Sequence, residues 1–154
     1  MVIGILAAIT IVAYNGVQNK AYDTTIQSDL RTLKVKFELF NAENGKYPGN
    51  STEVALAASP FKATKGSYAV QGVTDHNLIY CYGTAAQSYG VAALSKSGNK
   101  YYITNDAGVT EYAIAWTDQT VICQSTISSY LTNFRGYAAE DITSGPWRTW
   151  AGGN

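Results

Sequence analysis

Gly4-Ile5-Leu6-Ala7-Ala8-Ile9-Thr10-Ile11-Val12-Ala13-Tyr14 holds no charge, and none occurs before Lys20. Outward from this run, a second pattern begins at Lys20. Tyr22, Ile26, Leu30, Leu33, Phe37 and Phe40 recur at steps of three and four, with Asp23, Gln27, Arg31, Lys34 and Glu38 between them. That period predicts a helix with one buried stripe. No proline interrupts residues 1–44; Gly45 is placed to end the helix and Pro48 bars its continuation. A single helix of ~66 Å is therefore expected. A domain of about 100 residues has a radius of gyration near 13 Å, so such a helix must project beyond it. The stripe from Tyr22 to Phe40 packs the second half onto its own domain. The first half, Met1, Val2, Ile3, Ile5, Leu6, Ala7, Ala8, Ile9, Ile11, Val12, Ala13 and Tyr14, is apolar all round and needs lipid or other copies of itself as cover. The chain divides accordingly into residues 1–19, an apolar half-helix for a membrane or for packing with other copies, and residues 20–154, a head.

The apolar part ends near Tyr14. Fourteen residues give about 21 Å of helix, short of a ~30 Å hydrocarbon core. The segment also lacks the basic start and small-residue cleavage site of a signal peptide.

After Pro48 the pattern changes. Residues 50–59 predict a short helix capped by Asn50 or Ser51 and ended by Pro60. Strands are expected at Tyr68–Val73, Leu78–Tyr82, Tyr89–Leu94, Tyr101–Thr104 and Tyr112–Trp116, and a further one at Thr120–Gln124. Ser97-Gly98-Asn99 and Asp106-Ala107-Gly108 mark turns. The tail from Gly136 to Asn154 reads as an irregular packed loop. An antiparallel sheet laid on the amphipathic half of the helix makes the class α+β.

Gly4 to Tyr14 resembles the GILAAIAIPAY stretch of type IV pilins and the related type II secretion pseudopilins. Glu43-Asn44-Gly45-Lys46-Tyr47-Pro48 is similar to the NGKYP turn that follows their long helix. The two motifs span about the first third of the chain, at the family's spacing. The resemblance implies the pilin fold and a structural subunit of an extracellular type IV pilus, serving attachment and surface (twitching) motility. The partners it implies are further copies in a helical homopolymer, the inner membrane before assembly, the pilus assembly machinery, and a host or neighbouring cell surface. Two departures stand out. The family's mature chain opens with an FTLIE-like segment whose fifth residue is Glu, whereas Ile5 stands fifth here. Either the subunit dispenses with that Glu or, as is expected here, about ten residues precede Met1 and extend the apolar run to a membrane-spanning ~20. Val12 stands where many pilins carry proline, which leaves Asn15-Gly16 as the helix's weak point and Gly16 as the place for local melting inside a filament.

Composition agrees with assembly better than with catalysis. Of 154 residues, 46% are hydrophobic and only 14% charged, against roughly a quarter charged in ordinary domains. Eleven basic residues balance eleven acidic ones, so nothing draws the whole chain to nucleic acid. Residues 1–100 carry nine Lys/Arg against six Asp/Glu, and residues 101–154 two against five, an asymmetry suited to head-to-tail register. Cys81 and Cys123 form either a disulfide or two buried thiols; export favours the disulfide. Neither they nor the lone His76 has partners at metal-ligand spacing, so no metal or cofactor is expected. Asp75, Asp106 and Asp118 are more simply turn residues than calcium ligands. No nucleophile elbow, phosphate loop or dinucleotide glycine pattern occurs.

Twelve tyrosines suit base stacking or sugar binding in principle, but no basic groove accompanies them. Tyrosine also simply fits strands and amphipathic surfaces. The alternatives to a pilus subunit are a type II secretion pseudopilin, a DNA-uptake pilin and a membrane-tethered adhesin. The continuation of the amphipathic stripe into the apolar half favours assembly, since an anchor needs no rigid extension.

Overall fold

A computed structural model describes residues 2–69, 76–83, 88–113, 115–127, 134–139 and 147–152, and side chains from Tyr14 onward, those of 134, 135 and 137 excepted. One helix, α1 (Val2–Asn44), runs unbroken through Gly16. It stops where Gly45 turns to a φ of 69° and its amide donates to the Asn41 carbonyl, a left-handed ending that glycine adopts without steric cost. The second helix, α2 (Ser51–Ala58), starts from Asn50, whose side chain accepts from the Glu53 amide.

Five strands follow: β1 (Leu78–Gly83), β2 (Ser88–Leu94), β3 (Lys100–Thr104), β4 (Thr110–Glu111) and β5 (Phe134–Ala138). They form one antiparallel sheet in the order β4-β3-β2-β1-β5. The third helix, α3 (Gln119–Thr126), lies between β4 and β5 in the chain. The class is α+β, with a layer on each side of the sheet.

The two faces have separate cores. On one, Ile26, Leu30, Leu33 and Phe37 of α1 are fully buried against Leu78, Tyr80, Tyr89, Val91 and Ile103; Phe40 is nearly so, and Tyr22 half-buried. On the other, Ile79, Cys81, Ala92 and Leu94 meet Tyr112, Trp116, Ile122, Cys123 and Ile127. β1 and β2 are therefore covered on both faces, which explains why β2 is buried at every position.

Cys81 and Cys123 are joined in a disulfide, with their Cα atoms 5.4 Å apart, and tie β1 to α3. Cys81 lies in register with Gly90 on one side and Gly136 on the other. A Cβ on Gly90 would come 2.4 Å from Thr126 Cγ2, and one on Gly136 would come 2.1 Å from Gln119 Nε2. The Gly-Cys-Gly row is what lets α3 settle onto the sheet.

Three sequence expectations are corrected. Thr120–Gln124 is helical, because Asp118 accepts from the Val121 amide and caps α3, whose buried residues Ile122, Cys123 and Thr126 share one face. Tyr112–Trp116 is not a strand among the described residues. Tyr112 and Trp116 are buried and Ala113 and Ala115 exposed, but pairing with β3 ends at Glu111 apart from one bond from the Tyr112 amide to the Lys100 carbonyl. The alternation there reflects cover of the second face, where the Trp116 indole donates to the His76 carbonyl. The tail is not irregular throughout, since β5 contains Gly136–Ala138, and Thr149–Ala151 forms a short helical turn. Of the strand expected at Tyr68–Val73, Tyr68 makes an isolated bridge to Ser95, and residues 70–73 lie outside the described residues.

Candidate assembly surface

The head grips α1 by polar contacts as well as by its core. Asp23 accepts from the Ser97 hydroxyl and from the side-chain amide Nδ2 of Asn99, docking the β2–β3 turn. Asp29, itself buried, accepts from the Thr64 amide at 2.9 Å and from the Tyr68 phenol at 2.9 Å. The Lys34 ammonium donates to the carbonyls of Thr104 (2.9 Å), Asn105 (3.0 Å) and Ala107 (2.9 Å), holding the β3–β4 loop against the helix. Glu38 accepts from the phenols of Tyr47 (2.9 Å) and Tyr89 (3.1 Å). Burial, with Glu38 beside it, pushes the Tyr47 phenol up to about 12 and lifts Tyr89 likewise, so both remain donors. The Tyr89 ring packs on Tyr47, Phe37 and Tyr80 at centroid distances of 4.6, 5.5 and 5.8 Å, and Phe37 in turn packs on Tyr80 at 4.6 Å. The tyrosines here serve as core and as polar clamps.

The Asp23 contact has a pH signature. Burial opposes its ionisation, but hydrogen bonds from Ser95, Ser97, Asn99 and Tyr101 outweigh burial and hold the carboxyl below its ordinary 3.8. A depressed folded-state value means the contribution is complete above the unfolded-state value and is lost as pH falls through the folded one. The difference in unfolding free energy between the wild type and Asp23→Asn should be constant above about pH 5 and shrink as the pH drops below about 4. A difference that stays flat to pH 2 in urea titrations would remove Asp23 from the account.

With its front face committed to the head, α1 leaves its back face bare. Val35 lies about two and a half turns from Ile26, on the opposite side. Tyr14, Val17, Ala21, Thr24, Ser28, Thr32, Val35, Leu39 and Ala42 follow one another at steps of three and four, and all are exposed and uncharged. Tyr14 is 67% exposed, Val17 71%, Val35 60% and Leu39 54%. Residues 14–20 are exposed all round, so no described contact covers the helix before Tyr22. Near its other end the back face opens into an apolar groove of about 620 Å³, formed by Val35, Leu39, Ile103 and Val109, with Arg31 and Glu38 at its edge.

No protein-family model, curated protein or solved structure matches this chain.

The residues singled out from sequence fall into three groups. Tyr22, Ile26, Leu30, Leu33, Phe37 and Phe40 form the helix-to-head contact described above, and Cys81 and Cys123 the disulfide. Val2, Ile3, Ile5, Leu6, Ala7, Ala8, Ile9, Ile11, Val12 and Ala13 lie on α1 with side chains outside the described residues, as does Met1 altogether. Gly16 sits within continuous helix, with nothing within 4 Å of where a Cβ would stand. Among the described residues no helix is long and apolar enough to cross a membrane. The apolar run was expected to fall short of a membrane on its own, closed by Asn15, Gln18, Asn19 and Lys20; the spanning helix expected with further residues before Met1 lies outside the described residues.

Other candidates have structural places. Asp118 caps α3, and Asp106 accepts from the side-chain amide Nδ2 of Asn105; Asp75 lies outside the described residues. Among those residues no three His, Cys, Asp or Glu stand together as metal ligands. His76 borders a pocket of about 300 Å³ with Gln119 and Arg148.

The back-face stripe escaped the sequence reading. Its signal was present, a second three-four repeat half a turn from the first. Thr24, Ser28 and Thr32 made it look like ordinary solvent-facing surface.

Proposed function

We propose that this protein is a structural subunit of an extracellular filament of the type IV pilus kind, with the pilin fold and no catalysis of its own. The observation that carries the reading is the long helix whose back face is exposed and uncharged from Tyr14 to Ala42, continuous with the apolar run Gly4–Tyr14. A solitary domain gains nothing from some 40 Å of bare uncharged helix. Copies that set these faces toward a common axis bury them. Staggered, head-to-tail contacts of this sort do not close and so generate fibres rather than rings.

In this reading the apolar end sits in the inner membrane before assembly and is drawn out by the pilus assembly machinery. The head then forms the outer wall of the fibre and meets host or neighbouring cell surfaces during attachment and twitching motility. Nucleic acid is not among the expected partners. The disulfide suits the oxidising exterior.

The test is electron microscopy of fibres sheared from the cell surface, with mass spectrometry of their content. Long fibres composed mainly of this chain are expected. Recovery only as dispersed membrane protein would overturn the proposal and leave a tethered module in its place.

A further inference from the structure

We infer that the groove beside Val35 and Leu39 is the seat for Tyr14 and Val17 of a second copy of this chain, which fixes the stagger between neighbours. The inference rests on the filament reading and adds a register to it.

Knob and groove lie along one continuous helix, the groove opening on the flank of the stripe where Val35 and Leu39 border Arg31, Lys34 and Glu38. Tyr14 and Val17 stand most of the way out of the surface, and the groove at the far end of the stripe is lined by Val35, Leu39, Ile103 and Val109. Neither can reach the other within one chain. Tyr14 comes level with the middle of the Val35–Leu39 turn when a parallel copy is offset by about 23 residues, ~35 Å at 1.5 Å per residue. Val17 then falls beside Leu39 and Ala42, and small Ala21 follows, so the faces meet without bulk. Arg31 at the groove's edge suits the face of an inserted tyrosine ring. The loop that carries Val109 is held in place by the three carbonyl contacts of Lys34, so the groove is formed before any partner arrives.

Charge supports the same offset independently. The shift that sets Tyr14 against Val35–Leu39 also brings Lys20 of one copy level with Glu43 of the next. Both residues are exposed. By helical geometry they flank the uncharged stripe on opposite sides, and in a pair of parallel helices facing one another opposite flanks meet. A second copy thus offers this groove an aromatic knob, a small-residue continuation and an opposite charge at one spacing.

The test is a charge swap in the full-length chain, read as the critical concentration for fibre formation at low salt. Lys20→Glu and Glu43→Lys should each raise it about fivefold, and the double reversal should restore it. Both sites are exposed, so the head should keep its unfolding midpoint in all three variants. As a second readout, benzoylphenylalanine placed at Val109 should photo-crosslink within fibres to residues 10–18 of a neighbouring copy. Fibres whose assembly ignores the single reversals, or whose adducts fall elsewhere on the chain or on lipid, overturn the inference and leave the filament intact. Absence of fibres from the unmodified protein would instead overturn the proposed function beneath it.

Discussion

Replacing both cysteines, as Cys81→Ala with Cys123→Ala, should cost about 4 kcal/mol of unfolding free energy in the chain-entropy description of a cross-link of this span. The pair is separated by 42 positions, and the segment it encloses includes β2, β3, β4 and most of α3. Without the bond, the unfolded chain regains the freedom of that whole loop. The folded chain loses little, because alanine fits the buried, apolar surroundings of both sulfurs. Apart from the bond, α3 is held on the sheet by Ile122 in the second core and by Gln119, which donates to the Gly136 carbonyl, and its seat depends on Gly90 and Gly136 beside Cys81, where the absence of side chains lets Thr126 and Gln119 approach. Urea unfolding of the double variant, and of the wild type with its disulfide reduced, should show the same lowered midpoint with a similar slope. A loss below about 1 kcal/mol would mean that contacts of α3, rather than the cross-link, hold that face. In the filament proposed above the consequence would reach function, since a subunit outside the cell is beyond repair by refolding.

How far this fold was legible follows from what each pattern records. The stripe from Tyr22 to Phe40 was readable because helical burial repeats at a fixed step, and Gly45 and Pro48 punctuate its end. The strands from Leu78, Tyr89 and Tyr101 were readable because apolar runs between glycine turns leave little other choice. Alternation failed at Tyr112–Trp116 because it reports which side chains are covered, and a chain can bury Tyr112 and Trp116 without pairing its backbone. Thr120–Gln124 was lost because its β-branched residues outweighed a good cap at Asp118. β5 was hidden because the glycine at its centre is demanded by Gln119 from another element, a tertiary requirement that no local pattern displays. The proposed assembly face was half visible. Its apolar end stood out, while its continuation along the head passed as solvent surface until the buried side of α1 was fixed and the other became its complement.

The largest functional effect should come from Ile9→Asp, expected to abolish fibres while leaving the head's stability unchanged. Ile9 lies in the uncharged run of α1, about 20 Å of helix before Tyr22, the first position that the head half-buries. Residues 14–20 between them are exposed, so a change at position 9 has no described path into the core. In a fibre whose axis is made of these helices, each copy would carry a carboxylate into an apolar bundle with nothing to neutralise it. A cost of about 3 kcal/mol per subunit corresponds to more than a hundredfold in the concentration needed for assembly. Entry into the membrane would suffer on a similar scale, since an acidic residue in hydrocarbon costs roughly 2.5–3.5 kcal/mol. Assembly should therefore be followed with protein purified in detergent and then diluted, alongside cell-surface fibres. Ile9→Leu should form fibres as the wild type does. The head of Ile9→Asp should melt at the wild-type temperature, measured by near-ultraviolet circular dichroism, which reports the packed tyrosines rather than the projecting helix. Fibres of normal abundance from Ile9→Asp would show that the apolar end lies outside the filament core. The helix would then be an anchor, and the bare back face of α1 would need a different partner.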